Sequence, residues 1–269
     1  LSAASEIAPA KLNLALHVRG KLADGRHSIE TIFAFCTDGD RLSGESADEL
    51  SLSVTGPFAN ELSDGADNLV LRAARALAQA AAKSAGAALV LDKQLPVASG
   101  LGGGSADAAA ALRLLTSLWR IDPKHAAEVA PSLGSDVPAC LLSLPSRGER
   151  AGDLLTPEPL PELSGTPVLL VNPRVSVSTA EAYAGWDGDD HGPMDDWRKG
   201  RNGLEEAAIA IAPQIGTVLA WLAAQPGASF VRMSGSGSTC FALFDSEEAR
   251  DAAAEGVPRE WWRLPTYLR

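Results

Sequence analysis

Between Val97 and Ser105 the chain reads Val97-Ala98-Ser99-Gly100-Leu101-Gly102-Gly103-Gly104-Ser105, with four glycines in five consecutive positions. Each glycine costs conformational entropy on folding, so such a run marks backbone that something must approach closely. The alanine-rich stretch Ala106 to Trp119 follows at once and reads as a helix with Leu112 and Leu115 turned inward. A glycine loop opening into a helix N-terminus aims several N–H groups and the positive end of the helix dipole at one point, which is how backbone binds phosphate. A flexible linker is the other reading, but linkers seldom open so directly into a helix.

Three kinds of phosphate loop compete. No lysine follows these glycines, so the Walker pattern is excluded. Gly100-x-Gly102-x-x-Ser105 approaches a dinucleotide fingerprint, but the third glycine is missing and no strand ending in an acidic residue follows about 20 residues on. A dinucleotide-binding oxidoreductase is therefore the weaker alternative. The catalytic-loop and metal-binding motifs of protein kinases are absent. Elsewhere, Lys11 and Asn13 stand two residues apart, and Asp136 sits in Leu133-Gly134-Ser135-Asp136-Val137-Pro138.

These residues need elements to hold them. From Ile7 to Val18, leucines and valine alternate with Lys11, Asn13, Ala15 and His17, the period of a half-buried strand, so Lys11 and Asn13 share its polar face and reach one ligand. Asp24-Gly25 marks a turn, Ile29 to Phe35 a second strand and Leu50 to Val54 a third, together a β-meander. Asn68 caps a predicted helix running to about Lys83, and a strand follows at Ala87 to Leu91. Pro123 to Ala130 reads as helix, and Gly134 to Pro138 as a turn before the apolar run from Ala139. Prolines and glycines between Pro145 and Pro167 place a boundary near Pro157, dividing the chain into 1–157 and 158–269. The second part opens with strand Val168 to Val171. Ser178 and Glu181 have capping-box spacing ahead of Ala182 to Trp186. Two helices fill Leu204 to Gln225, strands Ser229 to Met233 and Thr239 to Phe244 flank a glycine turn, and a helix from Glu247 and a strand near Trp262 close the chain.

Composition narrows the class. Apolar residues form 46% and charged residues 21% of the 269 positions, an ordinary globular balance. A formal net charge of -11 argues against nucleic-acid binding, and it obliges any anion site to rely on backbone N–H groups and a few placed cations. No apolar run nears the roughly 18 residues of a membrane span. The opening Leu-Ser-Ala-Ala-Ser-Glu lacks a basic and an apolar signal region, so a cytoplasmic location is expected. Cys36, Cys140 and Cys240 are odd in number and far apart, which suits reduced, buried thiols. Oligomeric state is left open.

Three separated segments resemble the motifs of the GHMP kinases: Pro9-Ala10-Lys11-Leu12-Asn13-Leu14, then Leu95-Pro96 through Gly102-Gly103-Gly104-Ser105-Ala106-Asp107-Ala108, then Arg232-Met233-Ser234-Gly235-Ser236-Gly237-Ser238. Within that superfamily, Asp24-Gly25-Arg26-His27 and the Asp136 segment are similar to the branch that phosphorylates a cytidine diphosphate conjugate of methylerythritol on the way to isoprenoid precursors. The resemblance implies an α+β, two-lobed fold with mixed and antiparallel sheets, an active-site cleft between the lobes, and ATP as donor, with Mg2+ neutralising its phosphates. It implies ATP contacts from Pro96, Val97, Ala98, Ser99, Gly100, Leu101, Gly102, Gly103, Gly104, Ser105 and Ala106, with Asn68 near the adenine. Phosphoryl transfer asks for positioning, charge stabilisation and a proton acceptor. By resemblance Asp136 is the base on the acceptor hydroxyl, while Lys11 orients it and offsets charge. Substrate contacts would come from Asn13, Arg26, His27, Thr179, Tyr183 and Gly235, with His27 on the cytosine edge and Tyr183 on its face.

From the residues alone other readings stand beside these. Asp136 and Asn68 suit helix caps, Lys11 a solvated strand position, His27 an exposed turn and Tyr183 helix packing. Arg26 stands where that branch carries an aromatic, so its guanidinium either stacks on the base or points to solvent. No metal ligands stand out. Mevalonate and homoserine are rival acceptors, and a nucleotide sensor without turnover is a further alternative.

Overall fold

The structure is a computed structural model and describes residues 4–62, 64–84, 86–190 and 192–269. Its elements in order are β1 (Ala4–Lys21), β2 (His27–Ala47), β3 (Leu50–Thr55), α1 (Leu69–Ala80), β4 (Gly86–Asp92), α2 (Gly103–Leu118), α3 (Lys124–Leu133), α4 (Val137–Leu142), β5 (Ser146–Arg150) and β6 (Leu154–Pro157). Then follow β7 (Pro167–Asn172), α5 (Thr179–Ala184), α6 (Glu205–Ile211), α7 (Gln214–Ala223), β8 (Ala228–Met233), β9 (Cys240–Phe244), α8 (Glu247–Gly256) and β10 (Trp262–Tyr267). Residues 1–3, on which part of the N-terminal signal reading rests, lie outside the described residues. No described helix is long and apolar enough to cross a membrane, and all three cysteines are buried thiols outside any disulfide.

The chain divides into two compact units. Unit 1 is Leu1–Ala10, Asp38–Val97 and Gly102–Ser143, and unit 2 is Lys11–Thr37, Ala98–Leu101 and Leu144–Arg269. Pro157, the boundary expected from sequence, ends β6 inside unit 2. The glycines and prolines there close a hairpin, β5 pairing antiparallel with β6 around Gly152, whose φ is +86°.

In unit 1 the second half of β2, Arg41 to Ala47, pairs antiparallel with β4, and β4 pairs in parallel with β3. The expected meander is therefore not formed. Local alternation identified the strands, but β4, arriving after α1, takes the place beside β2. Asn68 caps α1 as expected, its Oδ1 accepting the Val70 N–H at 2.9 Å. Helices α1, α3 and α4 pack around α2, which is lined with alanine so that neighbours approach closely. Leu112, Leu114 and Leu115 are almost wholly buried, and cutting any one back to alanine would cost about 2 to 5 kcal/mol. Arg113 bonds the Cys140 carbonyl in α4 and the Ile7 carbonyl in β1, each at 2.9 Å.

A buried ion cluster anchors the start of α2. Lys93 Nζ lies 2.5 Å from Asp40 Oδ2 and 2.7 Å from Asp107 Oδ2. Asp40 Oδ1 accepts the N–H groups of Gln94 at 2.6 Å and Leu95 at 2.8 Å. One ammonium thus joins β2, the exit of β4 and the second turn of α2. Asp107 is 2% exposed, and its Oδ1 is buried with no hydrogen-bond partner.

In unit 2 the sheet runs β10-β7-β9-β8, all neighbours antiparallel, with α7 and α8 packed on it. The first half of β2, Ile29 to Phe33, pairs antiparallel with β5. Polar residues of β1 do not face solvent as the alternation suggested. Lys11, Asn13 and His17 are buried, because residues far along the chain supply polar partners for that face.

Burial, only partly offset by the Lys93 charge and reinforced by repulsion from Asp40, pushes the Asp107 carboxyl up to about 7 from its ordinary 3.8. Between those values the folded protein holds a proton the unfolded chain has released, so this contribution to stability falls as pH rises through that window. We expect the stability of the wild type relative to Asp107→Asn, from urea unfolding, to decline from about pH 5 to about pH 7.5. A difference that stays constant over that range contradicts the assignment.

Candidate active site

In unit 2 three sequence segments meet at one side chain. The Ser234 hydroxyl accepts the Asn13 N–H at 3.2 Å and donates to the Gly100 carbonyl at 3.0 Å. Lys11 N–H donates to the Leu101 carbonyl at 2.9 Å, and Thr239 N–H to the Ser99 carbonyl at 3.0 Å. The two glycine turns are pressed together. A Cβ on Gly100, whose φ is +80°, would lie 2.2 Å from the Ser234 carbonyl oxygen, and one on Gly235 would lie 3.0 Å from the Gly100 oxygen. No side chain fits at Gly100 without moving backbone.

Beside this junction the Lys11 ammonium is held in place. It is 3% exposed, donates to Asn13 Oδ1 at 2.8 Å and lies 5.1 Å from the Phe33 ring centre. Asn13 Nδ2 donates to Thr31 Oγ1 at 2.8 Å, and the Thr31 hydroxyl donates to the Ala15 carbonyl at 2.6 Å. This chain fixes the Asn13 amide with its oxygen toward the ammonium. Thr179 joins through a hydroxyl contact with Ser236 of 3.0 Å. The solvated reading of Lys11 is overturned.

Arg232 supports the same junction, donating to the carbonyls of Leu14, Trp197 and Gly200 and lying over Phe230. Burial lowers its guanidinium to about 10, against the pull of Glu205, which leaves it charged at neutral pH.

Ala98, Gly100 and Gly102 have φ of 49°, 80° and 64°, a left-handed residue at every second position, and alternation of this kind turns N–H groups into an anion-binding concavity. Helix α2 starts three residues earlier than expected, at Gly103. Its first intrahelical bond is Ala106 N–H to the Gly102 carbonyl at 2.8 Å, so the N–H groups of Gly103, Gly104 and Ser105 have no acceptor inside the helix. A Cβ on Gly104 would meet nothing within 4 Å, whereas one on Gly103 would lie 3.0 Å from Lys93 Nζ. Pro96 and Val97 lead into the loop from Leu95, which Asp40 holds.

Within unit 1, Gly104 also lines a cavity of about 220 Å³ with Leu62, Asp67, Asn68, Leu69 and Asp107. Asn68 therefore caps α1 and faces the space beside the α2 N-terminus. Asp136 occupies the N-cap position of α4, but its side chain makes no capping bond, so the cap reading fails. Its turn lies close to the loop, since a Cβ on Gly134 would stand 4.0 Å from Ser105 Oγ.

His27 opens β2 with its ring stacked on Tyr183, centroids 4.6 Å apart and planes 20° off parallel, and Trp186 meets it edge-on at 5.8 Å. Burial, with the Lys21 charge nearby, lowers the His27 imidazole, and its Nε2 is buried with no hydrogen-bond partner. Arg26 neither stacks on an aromatic ring nor stands unpaired. Its side chain is 49% exposed and folds onto Asp24, with Nε donating to Oδ2 at 2.8 Å.

Sequence reasoning missed Thr31, Asp107 and Trp186. Trp186, three residues after Tyr183 on a helical segment, was the most findable. Thr31 and Asp107 carry no local signal, because their partners are distant in sequence. Among the described residues no group of three His, Cys, Asp or Glu side chains is gathered to hold a metal.

The chain matches the family described as GHMP kinases N terminal domain over residues 68–143 and GHMP kinases C terminal over residues 190–264. A protein of Rhizorhabdus wittichii named 4-diphosphocytidyl-2-C-methyl-D-erythritol kinase is 50% identical over 278 residues, covering 98% of this chain and 94% of its own. One of the same name from Cereibacter sphaeroides is 47% identical over 280 residues, covering 97% and 98%. The crystal structure of a 4-(cytidine 5'-diphospho)-2C-methyl-D-erythritol kinase, 32% identical, matches with a TM-score of 0.85 over 98% of this chain and 99% of that one. Homoserine kinase from Cytophaga hutchinsonii, 16% identical with a TM-score of 0.73 over 100% of this chain and 95% of its own, shares the fold. The chain belongs to the GHMP kinase family, in the branch whose members are named 4-diphosphocytidyl-2-C-methyl-D-erythritol kinase.

Proposed function

We propose that this kinase transfers the γ-phosphoryl group of ATP to the 2-hydroxyl of 4-diphosphocytidyl-2-C-methyl-D-erythritol, in the cytoplasm. The observation that carries most weight is the buried Lys11 ammonium, fixed by Asn13 beside a glycine loop that Ser234 ties to β1. A desolvated cation of fixed position stabilises charge developing on a transferring phosphoryl group far better than a mobile one in water. ATP phosphates lie on the N–H groups of Gly103, Gly104 and Ser105, and the nucleoside occupies the cavity lined by Asn68 and Gly104. Asp136 accepts the proton of the acceptor hydroxyl. Magnesium would enter with ATP, which needs only one or two protein oxygens, and the Ser105 hydroxyl at the loop fits that need.

The base is read by His27 and Tyr183, with Arg26 held out of the stack by Asp24. Buried thiols outside any disulfide accord with a reducing compartment. Homoserine or mevalonate as acceptor would leave the aromatic cluster at His27 without a role.

ADP release from Mg-ATP and the cytidine conjugate should fall at least about 100-fold in Asp136→Asn with little change in the KM for ATP. A variant keeping more than a tenth of the activity would exclude Asp136 as the base. Methylerythritol phosphate lacking the cytidine should not be turned over. Tyr183→Ala should raise the KM for the conjugate about fivefold to tenfold, while Arg26→Ala should leave it nearly unchanged. An equal rise in both variants would show that the guanidinium, not the aromatic pair, covers the base.

A further inference from the structure

His17 lies on the same face of β1 as Lys11 and Asn13, is 6% exposed, and has a partner on each ring nitrogen. Nδ1 lies 3.0 Å from the Gly192 carbonyl oxygen, and Nε2 lies 3.2 Å from the Arg201 backbone nitrogen. A carbonyl only accepts and a peptide N–H only donates, so both bonds exist in one protonation state, the neutral ring with its proton on Nδ1. The adjoining residue adds two bonds to the same segment. Leu16 N–H donates to the Arg201 carbonyl at 2.8 Å, and the Leu16 carbonyl accepts the Gly203 N–H at 2.7 Å.

The segment so held carries Asn202. Its Nδ2 donates to the Met233 carbonyl at 2.9 Å and the Gly235 carbonyl at 2.7 Å, the backbone of the turn that packs on Gly100. A Cβ on Gly200 would lie 3.3 Å from His17 Nε2 and 3.0 Å from the Ala15 Cβ, so the segment is packed closely against β1.

We propose that His17 is a positioning residue for the acceptor: as a neutral imidazole protonated on Nδ1 it clamps residues 192–201 to β1 and, through Asn202, holds the Gly235 turn in place. The link to the acceptor rests on the proposed function of that turn, whereas the clamp does not. A second proton on Nε2 would set one N–H against that of Arg201 and release that end.

Nitrogen-15 NMR of the histidine rings in the whole, ligand-free protein reads the tautomer directly. We expect His17 to carry its proton on Nδ1 at neutral pH; a proton on Nε2 would overturn the clamp whatever the enzyme's substrate proves to be. In assays with the cytidine conjugate, His17→Phe should raise its KM about tenfold while kcat and the KM for ATP change less than about threefold. His17→Gln, whose amide offers one donor and one acceptor, should restore that KM. Equal KM values in the two variants, or a loss confined to kcat, would refute a positioning role. Should His17→Phe fail to fold, the tautomer and the KM of His17→Gln still decide. Absence of any turnover by the wild type would count against the substrate and leave the NMR result standing.

Discussion

Within unit 2 the junction of β1 with the two glycine turns centres on a single buried hydroxyl. Ser234 accepts one backbone N–H, from Asn13, and gives its own proton to one backbone carbonyl, that of Gly100. Strand β1, the glycine loop and the turn after β8 are far apart in the chain, and this one group of the turn bonds the backbone of both the others. Both partners are main-chain atoms, so the bond fixes backbone positions rather than side-chain preferences. It also explains why glycine is needed on both sides, since a Cβ at Gly100 or Gly235 would enter the opposite turn. Lys11 is then placed by geometry, through Asn13, Thr31 and Ala15.

The net charge of -11 makes this economy of cations intelligible. An acidic protein cannot draw a polyanion by its overall field, so it must offer oriented dipoles at short range. Unit 1 supplies them from the first turn of α2. That turn is itself held by buried charge, because Lys93 bridges Asp40 and Asp107 and so fixes where the helix begins. Removing one partner from such a cluster costs about 3 to 5 kcal/mol, while the intact cluster contributes little net stability. Its value lies in specifying position. Unit 2 uses neutral hydrogen bonds for the same purpose where its glycine turns meet.

Much of this was legible in sequence wherever the signal was local. Asn68 capped its helix, Ser178 capped the next one it was expected to cap, and the glycine run opened into a helix as its composition required. What failed was non-local. The alternation in β1 located the strand but said nothing about what covers its polar face, since the partners of Asn13 and His17 come from residues near positions 192, 201 and 234. The same limit misjudged the meander, because pairing with β4 is decided after α1 has packed. The start of α2 was set too late by glycine's low helix propensity, which tertiary contact overrode: Gly103 packs closely on the end of Lys93, where a Cβ would lie 3.0 Å from Nζ. Arg26 did carry a local clue that went unused, namely Asp24 two residues before it.

The most direct test of the central claim is the activity of Ser234→Ala, measured as kcat/KM for ADP release alongside urea unfolding. Two buried backbone groups would lose their partner, at roughly 2 kcal/mol or more, so the account predicts a loss of about 30-fold or greater in a protein that still folds. Turnover within about twofold of the wild type would contradict it, because the loop, the strand and the turn would then be held together by something other than this hydroxyl.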